Sequence, residues 1–363
     1  MTVVVLSAGG TGGHLFPAQA LAAELMRRGR SIVLMTDARG RNFESAFPGA
    51  RIETVPSASP SNSSLAGKFL APLAIVWGIV VGLSKLGRLK PSAVVGFGGY
   101  PSLPVMIAAL LAGRPTVIHE QNAVLGRVNR LIAGQMRAIA ASFPFAKFAP
   151  KDARRVHDIG NPVRPEAASL AHMPYDPPAE TGSIRILVFG GSQGARALSE
   201  IVPQALSDLP QTIRSRLDIV QQGRAEDIES VRNAYARASV QAVVSTFYND
   251  LPQRMADAHL VICRSGASTV SELTVIGRPA ILIPYPFAAD DHQTANAAVL
   301  VRASAAWLVA QRNLTAENLS ALLAEILGHP EELAKRASAA AALGKPDAAK
   351  RLADLVEEVE GLE

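Results

Sequence analysis

The residues best suited to chemistry sit in glycine-rich turns. Gly9-Gly10-Thr11-Gly12-Gly13-His14 follows the apolar run Val3-Val4-Val5-Leu6 and precedes a helical stretch over residues 16–28. Glycine allows backbone N–H groups to approach a ligand closely, and the helix N-terminus beyond such a turn attracts an anion. His14 closes the turn. An imidazole titrates near neutral pH, so it can take a proton from a reacting hydroxyl. The same pattern returns in the second half: Ile184–Phe189, then Gly190-Gly191-Ser192-Gln193-Gly194-Ala195, then a helical stretch over residues 197–206. A third turn is Gly96-Phe97-Gly98-Gly99-Tyr100. A fourth is Cys263-Arg264-Ser265-Gly266-Ala267-Ser268-Thr269, with Glu272 about one turn into the helix it opens. Glu120 is the carboxylate that competes with His14 for the role of base.

Common nucleotide signatures fail here. Gly10-Thr11-Gly12 begins a dinucleotide fingerprint, but its third glycine position is Leu15. Asp37 does stand where that motif keeps a ribose-binding acid. No Gly-Lys-Ser/Thr and no Asp-x-Asp occurs.

To position these turns, the chain needs parallel strands with crossover helices. Continuous apolar runs mark strands buried on both faces. They fall at residues 3–6, 31–36, 93–96 and 116–119, and again at 184–189, 217–221, 242–245, 260–263 and 280–284. Two strand–turn–helix openings predict two Rossmann-like α/β domains in tandem. The proline-punctuated Gly160-Asn161-Pro162-Val163-Arg164-Pro165 reads as the linker. The expected division is 1–162, 163–345 and a closing helix within 346–363. The start of the chain, short and without a basic leader, reads as a strand rather than a signal peptide.

Composition narrows the field. The chain has 363 residues, 48% hydrophobic and 18% charged, which excludes disorder and coiled coil. A single cysteine, Cys263, excludes a disulfide framework and a thiolate metal site. The net charge of +5 divides unevenly: residues 1–160 carry +11 and the remainder −6. A basic half can meet nucleic acid, an anionic membrane or an anionic substrate; no nucleic-acid-binding motif is present, so nucleic acid is not expected. No acidic residue occurs between Glu53 and Glu120. Within that stretch residues 69–83 are almost wholly apolar around Trp77, interrupted by Pro72, Gly78 and Gly82, with Lys68, Lys85, Arg88 and Lys90 flanking. This reads as a helix at a membrane interface, too short to span; a buried domain helix with basic ends is the alternative.

Taken together and in order, these turns, with His119-Glu120-Gln121-Asn122 and Gly160-Asn161-Pro162-Val163-Arg164, resemble the MurG family of bacterial peptidoglycan N-acetylglucosaminyltransferases over residues 3 to about 300. The resemblance implies a GT-B fold, two Rossmann-like domains facing a cleft. It implies transfer of N-acetylglucosamine from UDP-N-acetylglucosamine to the 4-hydroxyl of the muramoyl sugar on lipid I, giving lipid II. It places the enzyme peripherally on the cytoplasmic face of the inner membrane, bound to an anionic surface through the Lys68–Lys90 region and open to other cell-wall synthesis proteins. The first domain would hold the acceptor and the second the donor. The resemblance assigns donor contacts to Thr11, Gly12, Gly13, Asn122, Arg164, Ser192, Gln193, Tyr248, Ala267, Ser268, Thr269, Glu272 and Gln293. His292 stands where some members have a second glutamine. Acceptor contacts fall on Gly98, Gly99, Tyr100 and Asn129. The base is His14 or Glu120. The chemistry so read requires no metal and no cofactor; a divalent-cation effect stays open.

Overall fold

A computed structural model describes residues 2–9, 12–38, 45–58, 65–191 and 195–361, with only the backbone for residues 65–70. The chain divides into two compact units. One comprises residues 1–164 with 346–363; the other comprises 165–345. Val163 and Arg164 therefore belong with the first unit, just beyond the boundary expected from the prolines.

The first unit is built on a seven-stranded parallel sheet: β1 (Val3–Ser7), β2 (Ser31–Thr36), β3 (Arg51–Thr54), β4 (Ala93–Gly96), β5 (Thr116–Glu120), β6 (Ala138–Ala141) and β7 (Val156–Asp158). Their order is β3-β2-β1-β4-β5-β6-β7. Val4, Val5 and Leu6 in the centre are wholly buried, as strands covered by helices on both faces must be. The second unit has six parallel strands: β8 (Ile184–Phe189), β9 (Leu217–Gln222), β10 (Gln241–Ser245), β11 (Leu260–Cys263), β12 (Ala280–Leu282) and β13 (Ala306–Leu308). Their order is β10-β9-β8-β11-β12-β13. In both sheets chain order reverses at one point, between β1 and β4 and between β8 and β11. The four glycine turns follow those four strands. Ligands of open α/β sheets bind at that switch point.

Four strands carry weak sequence signals. Arg51–Thr54 and Val156–Asp158 lie at sheet edges and are partly exposed, so they need no apolar run. Ala138–Ala141 is mostly alanine, which has little strand preference. Ala306–Leu308 is a three-residue edge strand.

The apolar stretch is longer than expected, forming a helix over Leu65–Leu89 that runs straight through Pro72, Gly78 and Gly82. The two glycines are its packing seam. A Cβ at Gly82 would lie 3.0 Å from the Ala108 Cβ, and one at Gly78 would lie 2.9 Å from the Pro104 Cβ and overlap the Pro56 carbonyl. Both partners on the helix Ser102–Leu111 are thus reached closely. Ala71 and Leu86 are buried on the same side, while Leu73, Val76, Trp77 and Val80 are exposed. The exposed set recurs at three- and four-residue steps, so it forms one stripe. By length and composition Ala71–Leu89 could cross a membrane. Its other face, however, is the covering layer of the first sheet. Lys85 and Arg51 both pair with Glu53, so Lys85 is neutralised locally; Arg88 bonds back to Ser84.

The last helix, Ala348–Gly361, returns to the first unit and packs against the helix Gly12–Arg27. Leu352, Val356 and Val359 enter the core formed by Leu6, Leu21 and Val95. Ion pairs border this contact: Arg28 with Asp354 and Glu357 at 2.8 and 2.7 Å, and Arg30 with Glu360 at 2.8 Å. Leu352 is fully buried. Leu352→Ala is expected to destabilise the fold by about 2–5 kcal/mol, read as a lower urea midpoint. An unchanged midpoint would mean that this helix is not part of the first core.

Candidate active site

At the first switch point the backbone is bent by glycine. Gly98 and Gly99 have φ of +80° and +75°, conformations that side chains resist. They lead the chain beneath His14: a Cβ at Gly99 would lie 3.6 Å from the His14 Nε2, and one at Gly98 would lie 3.6 Å from its Cε1. His14 stands in the first turn of the helix Gly12–Arg27, which begins a turn earlier than the sequence suggests and carries Pro17 in its interior. The ring is half-buried, and its Nδ1 lies 2.7 Å from the Phe97 carbonyl oxygen. A carbonyl only accepts, so Nδ1 bears the proton in the neutral ring. The Nε2 lone pair is left as the basic position.

Glu120 is arranged for a different task. It is buried, and its Oε1 accepts from the Asn122 backbone N–H at 3.1 Å and the Asn122 side-chain amide at 3.3 Å. Its Oε2 accepts from the Gly126 N–H and the Asn129 amide, both at 2.8 Å. Four donors saturate the carboxylate. It clamps the loop that presents Asn122 and Asn129. Asn129 also donates to the His119 carbonyl, and its own Oδ1 is buried. Tyr100 stands partly exposed just past the glycines. Arg164 lies over the Phe16 ring, 5.6 Å from its centroid, in this first unit.

At the second switch point Gly191 has φ +85°. Thr11, Ser192 and Gln193 lie outside the described residues. The helix beyond the turn opens at Arg196 with Ala195 as its N-cap. The helix Ala267–Ile276 is capped by Gly266 and closed by Gly277 in the left-handed region. Ala267 and Glu272 are buried, while Ser268 and Thr269 are half-buried on its first turn. The turn before it is held from behind. Ser265 Oγ donates to the Gln293 carbonyl at 2.8 Å, and Asn296 donates to the Ser265 carbonyl at 3.1 Å. Arg264 spends its guanidinium on the carbonyls of Ile283 and Pro284 and on Gln311; burial pulls its pKa down, and it reads as a brace. Gln293 Oε1 accepts from the Tyr285 N–H at 2.9 Å, which fixes that amide. His292 Nδ1 bonds to the Ala289 carbonyl.

Tyr248 is less available than its sequence position suggests. It is buried, with its hydroxyl on the Val243 carbonyl at 2.9 Å and Arg254 over its ring. The exposed aromatic beside it is Phe247, at 65%. Phe247 stands just past the C-terminal end of β10, the strand Gln241–Ser245. Cys263 is core, and burial pushes its thiol well up. Among the described residues no group of three or more His, Cys, Asp or Glu could hold a metal ion.

Residues 4–141 match the glycosyltransferase family 28 N-terminal domain, and residues 185–352 match its C-terminal domain. The chain belongs to glycosyltransferase family 28. A relative from Rhodospirillum centenum is 50% identical over all of this chain and 96% of its own length. It is named UDP-N-acetylglucosamine--N-acetylmuramyl-(pentapeptide) pyrophosphoryl-undecaprenol N-acetylglucosamine transferase. A relative of the same name from Brucella canis is 49% identical over 98% of this chain and 94% of its own. The crystal structure of Acinetobacter baumannii MurG superposes with a TM-score of 0.81 at 30% identity, covering 99% of this chain and all of that one. These family members make the two parallel-sheet units a GT-B pair. A Neisseria meningitidis UDP-GlcNAc 2-epimerase matches with a TM-score of 0.68 at 14% identity, over 99% of this chain and all of that one; this likeness is one of fold alone.

His119, in β5, is wholly buried, and burial lowers its pKa to about 4, with a smaller push from His14. The unfolded chain, near 6.5, binds this proton first, so stability falls as pH drops from 6.5 towards 4. Relative to His119→Gln, the wild type is expected to lose up to about 3 kcal/mol across that window. Urea titrations of both proteins at several pH values test this; parallel curves would contradict it.

Proposed function

We propose that this protein transfers N-acetylglucosamine from UDP-N-acetylglucosamine to the 4-hydroxyl of N-acetylmuramoyl-pentapeptide on undecaprenyl pyrophosphate, lipid I, forming lipid II. The reading is supported by the full-length likeness to transferases of that name. The observation that carries the chemistry is His14, whose Nδ1 is committed to a carbonyl while Nε2 stays basic.

The acceptor hydroxyl gives its proton to His14 Nε2. Its oxygen attacks the anomeric carbon as the bond to UDP breaks, inverting that centre. Negative charge grows on the departing diphosphate. The Ser192-Gln193 turn, the helix N-terminus beyond it and Arg164 are assigned to that charge. Glu272, Ala267, Ser268, Thr269 and Gln293 are assigned to the nucleotide and its sugar, with Tyr248, its hydroxyl held by the Val243 carbonyl, in a supporting place. Gly12, Gly13 and Asn122 complete the donor side. Gly98, Gly99, Tyr100 and Asn129 shape the acceptor side.

Labelled UDP-N-acetylglucosamine and a lipid I analogue test the reaction; label should move into lipid. Label recovered in a free epimer, or none moved, would overturn the reading. His14→Ala should lower kcat about 10²- to 10⁴-fold while UDP binding survives. Near-normal turnover would remove His14 from the base role.

We further propose that the stripe Leu73, Val76, Trp77 and Val80 lies in the interface of an anionic bilayer, on the cytoplasmic face of the inner membrane. Exposed apolar side chains, an exposed tryptophan and the cations Arg88 and Lys90 support it. Such a surface would also let other cell-wall synthesis proteins gather beside the enzyme. Full burial of each stripe residue is worth roughly 1.5–3 kcal/mol. Trp77→Glu should therefore weaken vesicle binding at least about tenfold, without changing turnover of a soluble acceptor analogue. Equal wild-type binding to neutral and anionic vesicles would refute the electrostatic part.

A further inference from the structure

The His14 proton depends on what holds the Phe97 carbonyl. That oxygen accepts twice: from His14 Nδ1 at 2.7 Å and from Gln121 Nε2 at 2.9 Å. Gln121 is buried and is itself given no ligand contact above. The same Nε2 lies 3.1 Å from His119 Nδ1. His119 in turn has its Nε2 at 3.2 Å from the Gly160 carbonyl and 3.3 Å from Ser142 Oγ. The Phe97 ring also leans on the His119 ring, with centroids 5.6 Å apart.

The direction of every bond in this chain is dictated by its two ends. The Gly160 carbonyl can only accept, so His119 Nε2 carries a proton. His119 is neutral, so its Nδ1 is a lone pair and requires a donor. The Phe97 carbonyl also requires a donor. Only the NH₂ end of the Gln121 amide meets both demands; the flipped amide would set its oxygen against two acceptors. With Gln121 so fixed, the Phe97 carbonyl is held in place and presents its second lone pair to His14. Gln121 Oε1 is buried without a partner among the described contacts, a cost that this orientation accepts.

We propose that Gln121, aligned by His119, is a positioning residue for the transfer: it orients the Phe97 carbonyl that holds His14 in the Nδ1–H tautomer with Nε2 basic. This rests on His14 as the base. The tautomer itself can be read without any turnover, so the two claims fail separately.

The test is ¹⁵N spectroscopy of histidine-labelled full-length protein, at a pH where the ring is neutral, with His14 assigned through His14→Ala. Wild-type His14 should show a protonated, pyrrole-like Nδ1 and an unprotonated, pyridine-like Nε2. In Gln121→Met both signals should move towards the average of the two tautomers. In the same variant kcat should fall about tenfold or more, with the KM for UDP-N-acetylglucosamine unchanged. Gln121→Leu, which also removes the donor to the carbonyl, should show the same signature. Wild-type His14 protonated on Nε2 would overturn the proposal, even if neither variant folds. So would loss of kcat with the His14 signals unmoved, which is the mark of a merely structural role. Absence of transfer activity with the expected wild-type spectrum would sink the function, and with it the role in transfer, and leave only the His14 tautomer assignment standing.

Discussion

A peptide carbonyl can accept hydrogen bonds and never donate them. At the end of β4 that asymmetry decides the state of the candidate base. The Phe97 oxygen takes the His14 Nδ1 proton and thereby exposes the Nε2 lone pair. The carbonyl points there because the next two residues are glycines at positive φ, which turn the chain under the imidazole. Those glycines sit there because β1 and β4 are neighbours at the reversal of strand order. Sheet topology, local backbone and proton placement are therefore one chain of causes. Glu120 acts beside it. Its saturated carboxylate ties down Asn122, Gly126 and Asn129, so the loop following β5 is as fixed as the turn following β4.

The second unit solves a different problem. Residues 161–363 carry −6, yet the proposed donor is an anionic nucleotide. Net charge acts at long range and is screened; helix termini act locally. The helices beginning at Arg196 and Ala267 open at the C-terminal ends of β8 and β11, where free N–H groups are available to an anion. Nearby side chains brace the second of these ends. Arg264, Ser265 and Asn296 bond to backbone and keep the turn in shape.

Much of this was legible in the sequence, and the exceptions have physical reasons. Strands buried on both faces, such as Val3–Ser7 and Leu260–Cys263, announce themselves as apolar runs. Edge strands such as Arg51–Thr54 do not, because half their surface meets solvent. Gly78 and Gly82 read as helix breakers because glycine is poor in isolated helices. Only the packed partner, Ala108 or Pro104, reveals that a side chain would not fit. The sequence offers His14, in its glycine turn, as the base and Glu120, at the end of β5, as its competitor. Separating them required hydrogen-bond partners drawn from residues up to 83 positions away, which no local pattern encodes. Tyr248 and Phe247 differ by one place in the chain, and only burial shows which of them is exposed.

Transfer is proposed as a single direct displacement, with His14 taking the acceptor proton as the new bond forms. The most direct measurement is the configuration of the product linkage, read from the anomeric proton coupling in a product made from the α-linked UDP-sugar. A single displacement gives a β linkage throughout. An α linkage, which retains the configuration of the sugar donor, would contradict it.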